Sequence, residues 1–249
     1  MIERFIHTSM NKKLGIIGGL GPMATAYFMR RIIELTDAKN DQENIEMIIY
    51  NCPSIPDRTG FILGASKENP LPNILELAHN LERQNVDYIA MPCITAHFFH
   101  DQLADSVFIP VSNGIKEAAQ YLSARGIEKV GIMATDGTAA MHLFDSVFKD
   151  YDIKCIYPDE AGQKQVMSII YDDVKAGQPV DMEAFGQVKN QLLSAGAQVV
   201  ILGCTELSIV KRDYEVGAHV LDIVDVLAAD CVKKCAKPRS ECENLITEV

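Results

Sequence analysis

The chain has 249 residues, 48% of them hydrophobic and 23% charged, which is enough for one large domain or two small ones with a sizeable core. The net charge of −11 argues against a nucleic-acid partner, because a nucleic-acid surface needs a basic footprint. No apolar run is long enough to span a membrane, and seven cysteines without a secretory signal lead us to expect a cytoplasmic protein with reduced thiols.

Apolar strands alternate with amphipathic helices along the first part of the chain. The periodicities predict a strand, a glycine turn, a helix and a second strand. A long loop rich in Pro, Gly, Ser and Asn follows, and such a loop is usually functional or disordered. A helix, a strand that ends at Cys93, a short strand and a further helix come next. In chain order, these elements cover residues 14–17, 18–22, 23–37, 45–50, 51–72, 71–83, 86–93, 108–111 and 112–125.

The same order of elements begins again at residue 129. The pattern predicts a strand from 129, a helix ending at 148, a strand at 153–157, helices at 161–175 and 182–195, strands at 197–204 and 219–221, and a helix at 222–234. Three features recur in the same order, which indicates a divergent duplication of about 115 residues. They are the pairs Gly15 and Gly131, Cys93 and Cys204, and Ser112 and Asp222.

Strands that alternate with helices predict an α/β fold with mostly parallel sheets, and the duplication predicts two similar α/β lobes. We assign residues 13–113 and 218–240 to the first lobe, to which the C-terminal helix returns, and residues 114–217 to the second lobe. Residues 1–12 and 241–249 are predicted to be flexible ends. Ligands of such sheets bind beyond the carboxyl ends of the strands, so we expect the active site in the cleft between the lobes.

Cys93 and Cys204 each end a predicted strand and begin a helix. A single buried cysteine is usually a small hydrophobic core residue. Two of them at matching points of a duplication instead indicate a functional pair. The amides and dipole of a helix N-terminus stabilise a thiolate, so we expect lowered thiol pKa values. Neither cysteine belongs to a C-x-x-C pair, so a structural zinc site is only weakly supported.

Residues 19–24 match the G-x-G-x-x-A pattern of dinucleotide-binding turns. That fingerprint also requires an acidic residue near the end of the second strand, where this chain has Asn51 and Cys52. We therefore interpret the glycines as a tight turn whose backbone amides approach a small ligand, without a nucleotide.

Four charged or titratable residues near these motifs are further candidates. Arg58 lies in the Pro-rich loop at the expected ligand-facing edge, and a guanidinium binds a carboxylate with two hydrogen bonds. Lys175 ends a predicted helix, where its sequence context alone indicates only a partner for the helix dipole. His97 follows Cys93 by four residues and Glu206 follows Cys204 by two. Either side chain fits two roles, assistance to a thiol or a structural hydrogen bond.

These motifs resemble the cofactor-independent aspartate/glutamate racemase family, in particular its aspartate racemase branch. The resemblance extends from about residue 13 to about residue 227, nearly the whole chain. The matching stretches are residues 15–25, 55–59, 92–97, 134–138 and 202–207.

The resemblance implies two α/β lobes related by a pseudo-twofold axis, a homodimer, and neither pyridoxal phosphate nor a metal. It implies that Cys93 and Cys204 flank the α-carbon of an amino-acid substrate on opposite faces. The substrate-binding residues that it implies are Met23, Arg58, Thr95, Thr135, Lys175 and Thr205. The threonines would hold the α-carboxylate and amino group, and the two cations the side-chain carboxylate. His97 and Glu206 would support the thiols.

One position departs from the family pattern, since Ile94 stands where these proteins usually have Asn between the cysteine and the threonine. The predicted function is racemisation of aspartate, with glutamate as a second candidate substrate. The departure at Ile94 keeps open a related isomerase or lyase that acts on another dicarboxylate or amino acid. A catalytically silent binding protein and an NAD-dependent oxidoreductase are weaker alternatives, opposed by the two cysteines and by the missing acidic residue respectively.

Overall fold

The computed structural model describes residues 12–248, and seven parallel strands lie within that range. The strands are β1 (Leu14–Gly18), β2 (Met47–Asn51), β3 (Tyr88–Ala90), β4 (Lys129–Met133), β5 (Lys154–Ile156), β6 (Val199–Leu202) and β7 (Val220–Asp222). They form two sheets, ordered β2-β1-β3 and β5-β4-β6-β7, and every strand pair is parallel. The predicted α/β class is therefore confirmed.

Helices connect the strands and cover the sheets. The α-helices are α1 (Pro22–Leu35), α2 (Arg58–Ile62), α3 (Leu71–Arg83), α4 (His100–Ser106), α5 (Gly114–Ser123), α6 (Asp136–Ala140), α7 (Leu143–Phe148), α8 (Glu160–Ser168), α9 (Met182–Ser194), α10 (Thr205–Asp213) and α11 (Ile223–Cys235). Short 3₁₀-helices cover Asp41–Glu43, Thr95–Phe99, Lys149–Tyr151 and Ser240–Glu243, and a π-helix covers Ile169–Lys175. Among the described residues, no helix is long and apolar enough to cross a bilayer.

The two sheets repeat one strand order, which supports the predicted duplication. β1 and β4 are central, β2 and β5 flank them on one side, and β3 and β6 on the other. Beyond β6 lies β7, and at the matching place in the first sheet Val111 forms an isolated parallel bridge with Ile89. The predicted strand at 108–111 is thus reduced to that bridge, and Phe108 is fully exposed. Two backbone hydrogen bonds hold this segment to β3, from the Ile89 amide to the Pro110 carbonyl and from the Ser112 amide to the Ile89 carbonyl.

A matching contact between a glycine and a leucine recurs in both halves. A Cβ atom added to Gly15 on β1 would lie 3.0 Å from Leu81 on α3. A Cβ atom added to Gly131 on β4 would lie 2.8 Å from Leu192 on α9. Each leucine precedes the cysteine of its half by 12 residues. In both halves, the absence of a side chain on the central strand therefore lets the helix before the cysteine strand pack closely.

The C-terminal part of the chain contacts elements of both halves. Helix α11 packs against α1 of the first predicted lobe and also against α5, which was assigned to the second lobe. Strand β7, however, pairs with β6, so residues 220–222 join the second sheet and not the first lobe, to which 218–240 were assigned. One apolar core includes Phe28 of α1, Phe144 of α7 and Leu227 of α11, and is therefore continuous between the halves.

The predicted flexible tail at 241–249 is wrong for the residues that the structure describes. Cys242 and Leu245 are buried, and Ile246 bridges Leu221 on β7. The backbone amide of His219 also donates a hydrogen bond to the carbonyl of Thr247. The apolar side chains of this tail cover the edge of the second sheet, which explains its order. Residues 1–11 and Val249 lie outside the described residues.

Candidate active site

The two predicted cysteines line one narrow cleft between the halves. Cys93 lies three residues beyond the end of β3, and Cys204 is the residue that precedes α10, directly after β6. Both are 5% exposed, and the carboxyl ends of β3 and β6 bring them to the same place. The residues that line this cleft are Leu20, Asp57, Arg58, Thr59, Cys93, Ile94, Thr95, Thr135, Tyr171, Lys175, Cys204, Thr205 and Glu206.

Three threonine hydroxyls form a hydrogen-bonded cluster at the base of the cleft. The Oγ1 atoms of Thr95 and Thr135 are 2.9 Å apart, and Thr138 Oγ1 donates to Thr95 Oγ1 at 3.2 Å. Thr95 follows the first cysteine, whereas Thr135 and Thr138 flank the start of α6 in the second half. Gly137 lets α6 lie close to α2, because a Cβ atom there would lie 3.2 Å from the Cα of Thr59. Thr138 was not among the predicted site residues.

Cys204 is a buried thiol that faces a carboxylate. Its Sγ donates a hydrogen bond to Glu206 Oε2 at 3.0 Å, and Thr205 Oγ1 donates to the same oxygen at 3.2 Å. Burial and the negative charge of Glu206 raise the pKa of Cys204 well above its ordinary value, against the opposing effect of Lys175. The expected lowering of this pKa by the helix N-terminus is therefore wrong, since a full charge at contact outweighs the partial charge of a helix dipole.

The glycine turn after β1 makes room for Glu206. Gly21 has φ = 112°, a conformation that L side chains rarely adopt, and a Cβ atom there would lie 2.9 Å from Glu206 Oε1. The amide of Gly19 donates to Thr25 Oγ1 at 2.9 Å, so α1 itself uses this donor. The turn thus serves close packing against the second half, and the Gly19 amide is already hydrogen-bonded within the first half. Met23, the second residue of α1, is 57% exposed and lines an outer cavity instead of the cleft.

His97 holds the backbone at Cys93 in place. Its Nε2 accepts a hydrogen bond from the Gly114 amide at 3.1 Å, so Nδ1 carries the proton and donates to the Cys93 carbonyl at 3.0 Å. Burial lowers the pKa of His97 to about 4. Both ring nitrogens are occupied and the ring is neutral, so of its two candidate roles His97 has the structural one.

Arg58 is directed at the first cysteine. Its Nη1 donates to the carbonyls of Ile55 and Pro56, at 3.3 and 3.0 Å, and the guanidinium also contacts Cys93. Burial lowers the pKa of Arg58, but the neighbouring Cys93 and Asp57 more than offset this and raise it. Its Nε is buried and has no hydrogen-bond partner among residues 12–248. The Arg58 guanidinium thus places a positive charge beside the Cys93 thiol.

Lys175 ends a π-helix and not the continuous α-helix predicted at 161–175. Helix α8 stops at Ser168, and the wider π-turns of Ile169–Lys175 carry Tyr171 and Lys175 to the cleft. Lys175 Nζ lies 4.1 Å from the Tyr171 ring centroid and 4.0 Å from Asp57 Oδ1. Burial lowers the pKa of Lys175, while the attraction of Glu206 and Tyr171 outweighs this and raises it. Tyr171 is a site residue that the helical periodicity did not reveal.

Ile94 lines the cleft and also packs into the apolar core. It is buried in the core that the two halves share, and its Cδ1 would lie 3.5 Å from a Cβ atom added to Gly114.

The remaining cysteines lie elsewhere: Cys231, Cys235 and Cys242 are buried near the C-terminus, and Cys52 and Cys155 are half-buried. Across residues 12–248, no group of three or more His, Cys, Asp or Glu side chains is arranged to hold a metal ion.

Known proteins match almost the whole chain. The sequence profile of the Asp/Glu/hydantoin racemase family matches residues 17–231. The broad specificity amino-acid racemase RacX of Bacillus subtilis is 25% identical over 225 residues, which cover 88% of this chain and 96% of that protein. The solved aspartate racemase of Picrophilus torridus is 29% identical with a TM-score of 0.79, covering 92% of this chain and 97% of that one. An aspartate racemase homologue from Pyrococcus horikoshii is 26% identical with a TM-score of 0.71, covering 90% and 98% respectively.

Proposed function

The chain belongs to the Asp/Glu/hydantoin racemase family, and we propose that it interconverts L- and D-aspartate without pyridoxal phosphate, with glutamate as a second candidate substrate. One observation carries this proposal: Cys93 and Cys204, from equivalent positions of the two halves, line the same cleft. Racemisation removes a proton from one face of the α-carbon and returns a proton to the other. Two opposed acid–base groups meet this requirement directly.

The surroundings of the two thiols suggest their roles in one direction of the reaction. Cys93, beside the Arg58 guanidinium, acts as the thiolate and takes the α-proton. Cys204, which holds its proton toward Glu206, donates that proton to the opposite face of the carbanion. The cycle ends with a proton on Cys93 and a thiolate at Cys204, stabilised by the nearby Lys175 charge. The reverse reaction starts from this second arrangement with the roles exchanged.

The polar groups of the cleft suit the remaining parts of the substrate. The hydroxyls of Thr95, Thr135 and Thr205 line the cleft, and in this proposal they exchange their present hydrogen bonds for the α-carboxylate and amino group, where donors stabilise the charge of a carbanionic intermediate. Arg58 is engaged by Cys93, so we assign the side-chain carboxylate mainly to Lys175. On the family resemblance we also propose that the protein is a cytoplasmic homodimer. Light scattering would measure the mass of the assembly.

A wider substrate range is the second candidate. Ile94 provides a buried alkyl group where the family usually has a polar amide, and the relative from Bacillus subtilis is named a broad specificity racemase. An amino acid other than aspartate or glutamate would then be the best substrate. A panel of amino acids in the assay below separates this candidate from the first.

The test is α-proton exchange in deuterium oxide without added cofactor. L-aspartate and L-glutamate are incubated separately with the purified protein, exchange is followed by NMR, and enantiomers are separated by chiral chromatography. Exchange with formation of the D-isomer supports the racemase and identifies its substrate. Exchange without inversion contradicts the two-base mechanism. No exchange with any amino acid, for a folded and reduced protein, contradicts racemase activity.

A further inference from the structure

The two thiols are closed off from solvent. The cleft that they line has a volume of ≈ 10 Å³, about the space of one water molecule. Cys93 and Cys204 are each 5% exposed. An amino acid, with its carboxylate, amino group and side chain, is several times larger than this space. A substrate therefore reaches the thiols only when the walls of the cleft move apart.

One set of side chains joins the halves above the thiols. Asp57, at the start of α2, belongs to the first half, and the π-helix of the second half supplies Tyr171 and Lys175. The Tyr171 hydroxyl donates to Asp57 Oδ1 at 3.4 Å, and Lys175 Nζ lies 4.0 Å from the same oxygen. The ammonium group of Lys175 also stacks on the Tyr171 ring. We call these three residues the bridge.

The bridge forms part of the wall between the cleft and two larger outer cavities. Arg58 and Glu206 also line both the cleft and one of these cavities. Each outer cavity has a volume of ≈ 420 Å³. Tyr171 lines the cleft and the cavity beside α8, whereas Asp57 and Lys175 line the cleft and the cavity beside α1. Separation of the bridge would connect the thiols with both cavities.

The two carboxylate oxygens of Asp57 make different contacts. Oδ2 accepts the Gly60 amide at 2.6 Å and caps α2, which holds the residue in place. Oδ1 makes the two long contacts of the bridge, to Tyr171 and Lys175. A partly exposed ion pair of this kind contributes little to stability, so its exchange for another carboxylate costs little.

We propose that the bridge is a gate over the cleft, and that a substrate with a side-chain carboxylate replaces Asp57 as the partner of Lys175 when it enters. The carboxylate exchange rests on the proposed function, while the gate itself rests on the geometry alone. Asp57 and Tyr171 are then positioning residues that favour acidic substrates, because an acidic side chain releases Lys175 from Asp57 and a neutral one does not.

The gate is tested by the rate at which iodoacetamide labels each cysteine, followed by mass spectrometry. We expect Asp57→Asn and Tyr171→Phe to raise the labelling rates of Cys93 and Cys204 about two- to fivefold, the scale of one weak ion pair or hydrogen bond. Asparagine caps a helix as well as aspartate does, so α2 is preserved. Asp172→Asn removes a charge from the same π-helix outside the bridge and is the matched control, expected to label like the unaltered protein.

The buried cysteines near the C-terminus serve as internal reporters of general loosening. Unchanged labelling of Cys93 and Cys204 in both bridge variants would overturn the gate. A parallel rise at Cys231, Cys235 and Cys242 would also overturn it, because the whole fold would then be opening. Labelling requires no turnover, so these results are independent of whether the protein proves to be a racemase.

The carboxylate exchange is tested by calorimetry with succinate, a dicarboxylate without an amino group. Asp57→Asn removes the internal competitor for Lys175, so we expect succinate to bind about two- to fivefold more tightly. Propionate, which has a single carboxylate, is the control ligand and should show a smaller change. Equal changes for both ligands, or no tighter binding of succinate, would overturn the exchange.

Discussion

The thiol of Cys204 donates a hydrogen bond to Glu206 Oε2 across 3.0 Å, in a place where both side chains are buried. Burial and this carboxylate together raise the pKa of Cys204 and keep the proton on the thiol. The other thiol has the opposite environment, because Cys93 contacts the Arg58 guanidinium. The duplication thus provides two equivalent cysteines, and their different neighbours give them unequal electrostatics.

The pH profile should depend on Glu206. Glu206→Gln keeps the shape and one acceptor but removes the charge, so the pKa of Cys204 should fall toward its ordinary value. Proton donation by Cys204 is lost as the pH rises through this pKa, so the alkaline limb of the activity profile should move to lower pH in the variant. Alkylation rates of Cys204 against pH measure the same pKa without turnover. An alkaline limb at the same pH in both proteins would contradict this account.

Each cysteine of the cleft should be required for racemisation. Cys93→Ser and Cys204→Ser should each lower kcat by about 10²- to 10⁴-fold, the usual contribution of a general acid or base. Cys155→Ser, on β5 in the second sheet, is the control and should retain full activity. Circular dichroism and thermal unfolding would verify that the variants are folded. Full activity in either cleft variant refutes the two-base mechanism.

Stability should fall with acid because of His97. Burial depresses its pKa from 6.5 in the unfolded chain to about 4 in the fold, so the unfolded state binds the proton first. The contribution of neutral His97 to the free energy of unfolding is complete above pH 6.5. It is lost as the pH falls from 6.5 to 4, by about 3 kcal/mol over that range. Urea unfolding of the unaltered protein and of His97→Gln at several pH values measures it. Equal pH dependence in the two proteins would show that His97 does not titrate in this way.

Gly21 should be required both for its positive φ and for the absence of a side chain beside Glu206. Gly21→Ala places a Cβ atom 2.9 Å from Glu206 Oε1 at φ = 112°, whereas Gly64→Ala at φ = 75° meets nothing within 4 Å. We expect Gly64→Ala to lower the free energy of unfolding by about 1–2 kcal/mol, the conformational cost alone. Gly21→Ala should cost more and should also lower kcat, because Glu206 must shift. Similar losses of stability in the two variants, with kcat unchanged, would exclude this contact.

Some of the site was predictable from local patterns. The hydrophobic periodicity indicated parallel strands and helices, and the duplication selected Cys93 and Cys204 from seven cysteines because both end the same strand of their half. The threonines that follow them were predicted from the same motifs and lie in the cleft. These features are determined by neighbouring residues, and parallel sheets place the carboxyl ends of their strands at one edge.

The amino-acid sequence by itself determined the fold class, the repeated order of elements and the identity of the two thiols. The tertiary structure alone decided the membership of β7 in the second sheet, the burial of the tail around Cys242 and the exposure of Tyr171 to the cleft through a π-helix. It also decided the environments of the thiols. Those depend on contacts between side chains far apart in the chain, such as Arg58 with Cys93 and Gly21 with Glu206, and no local pattern of residues encodes such a contact.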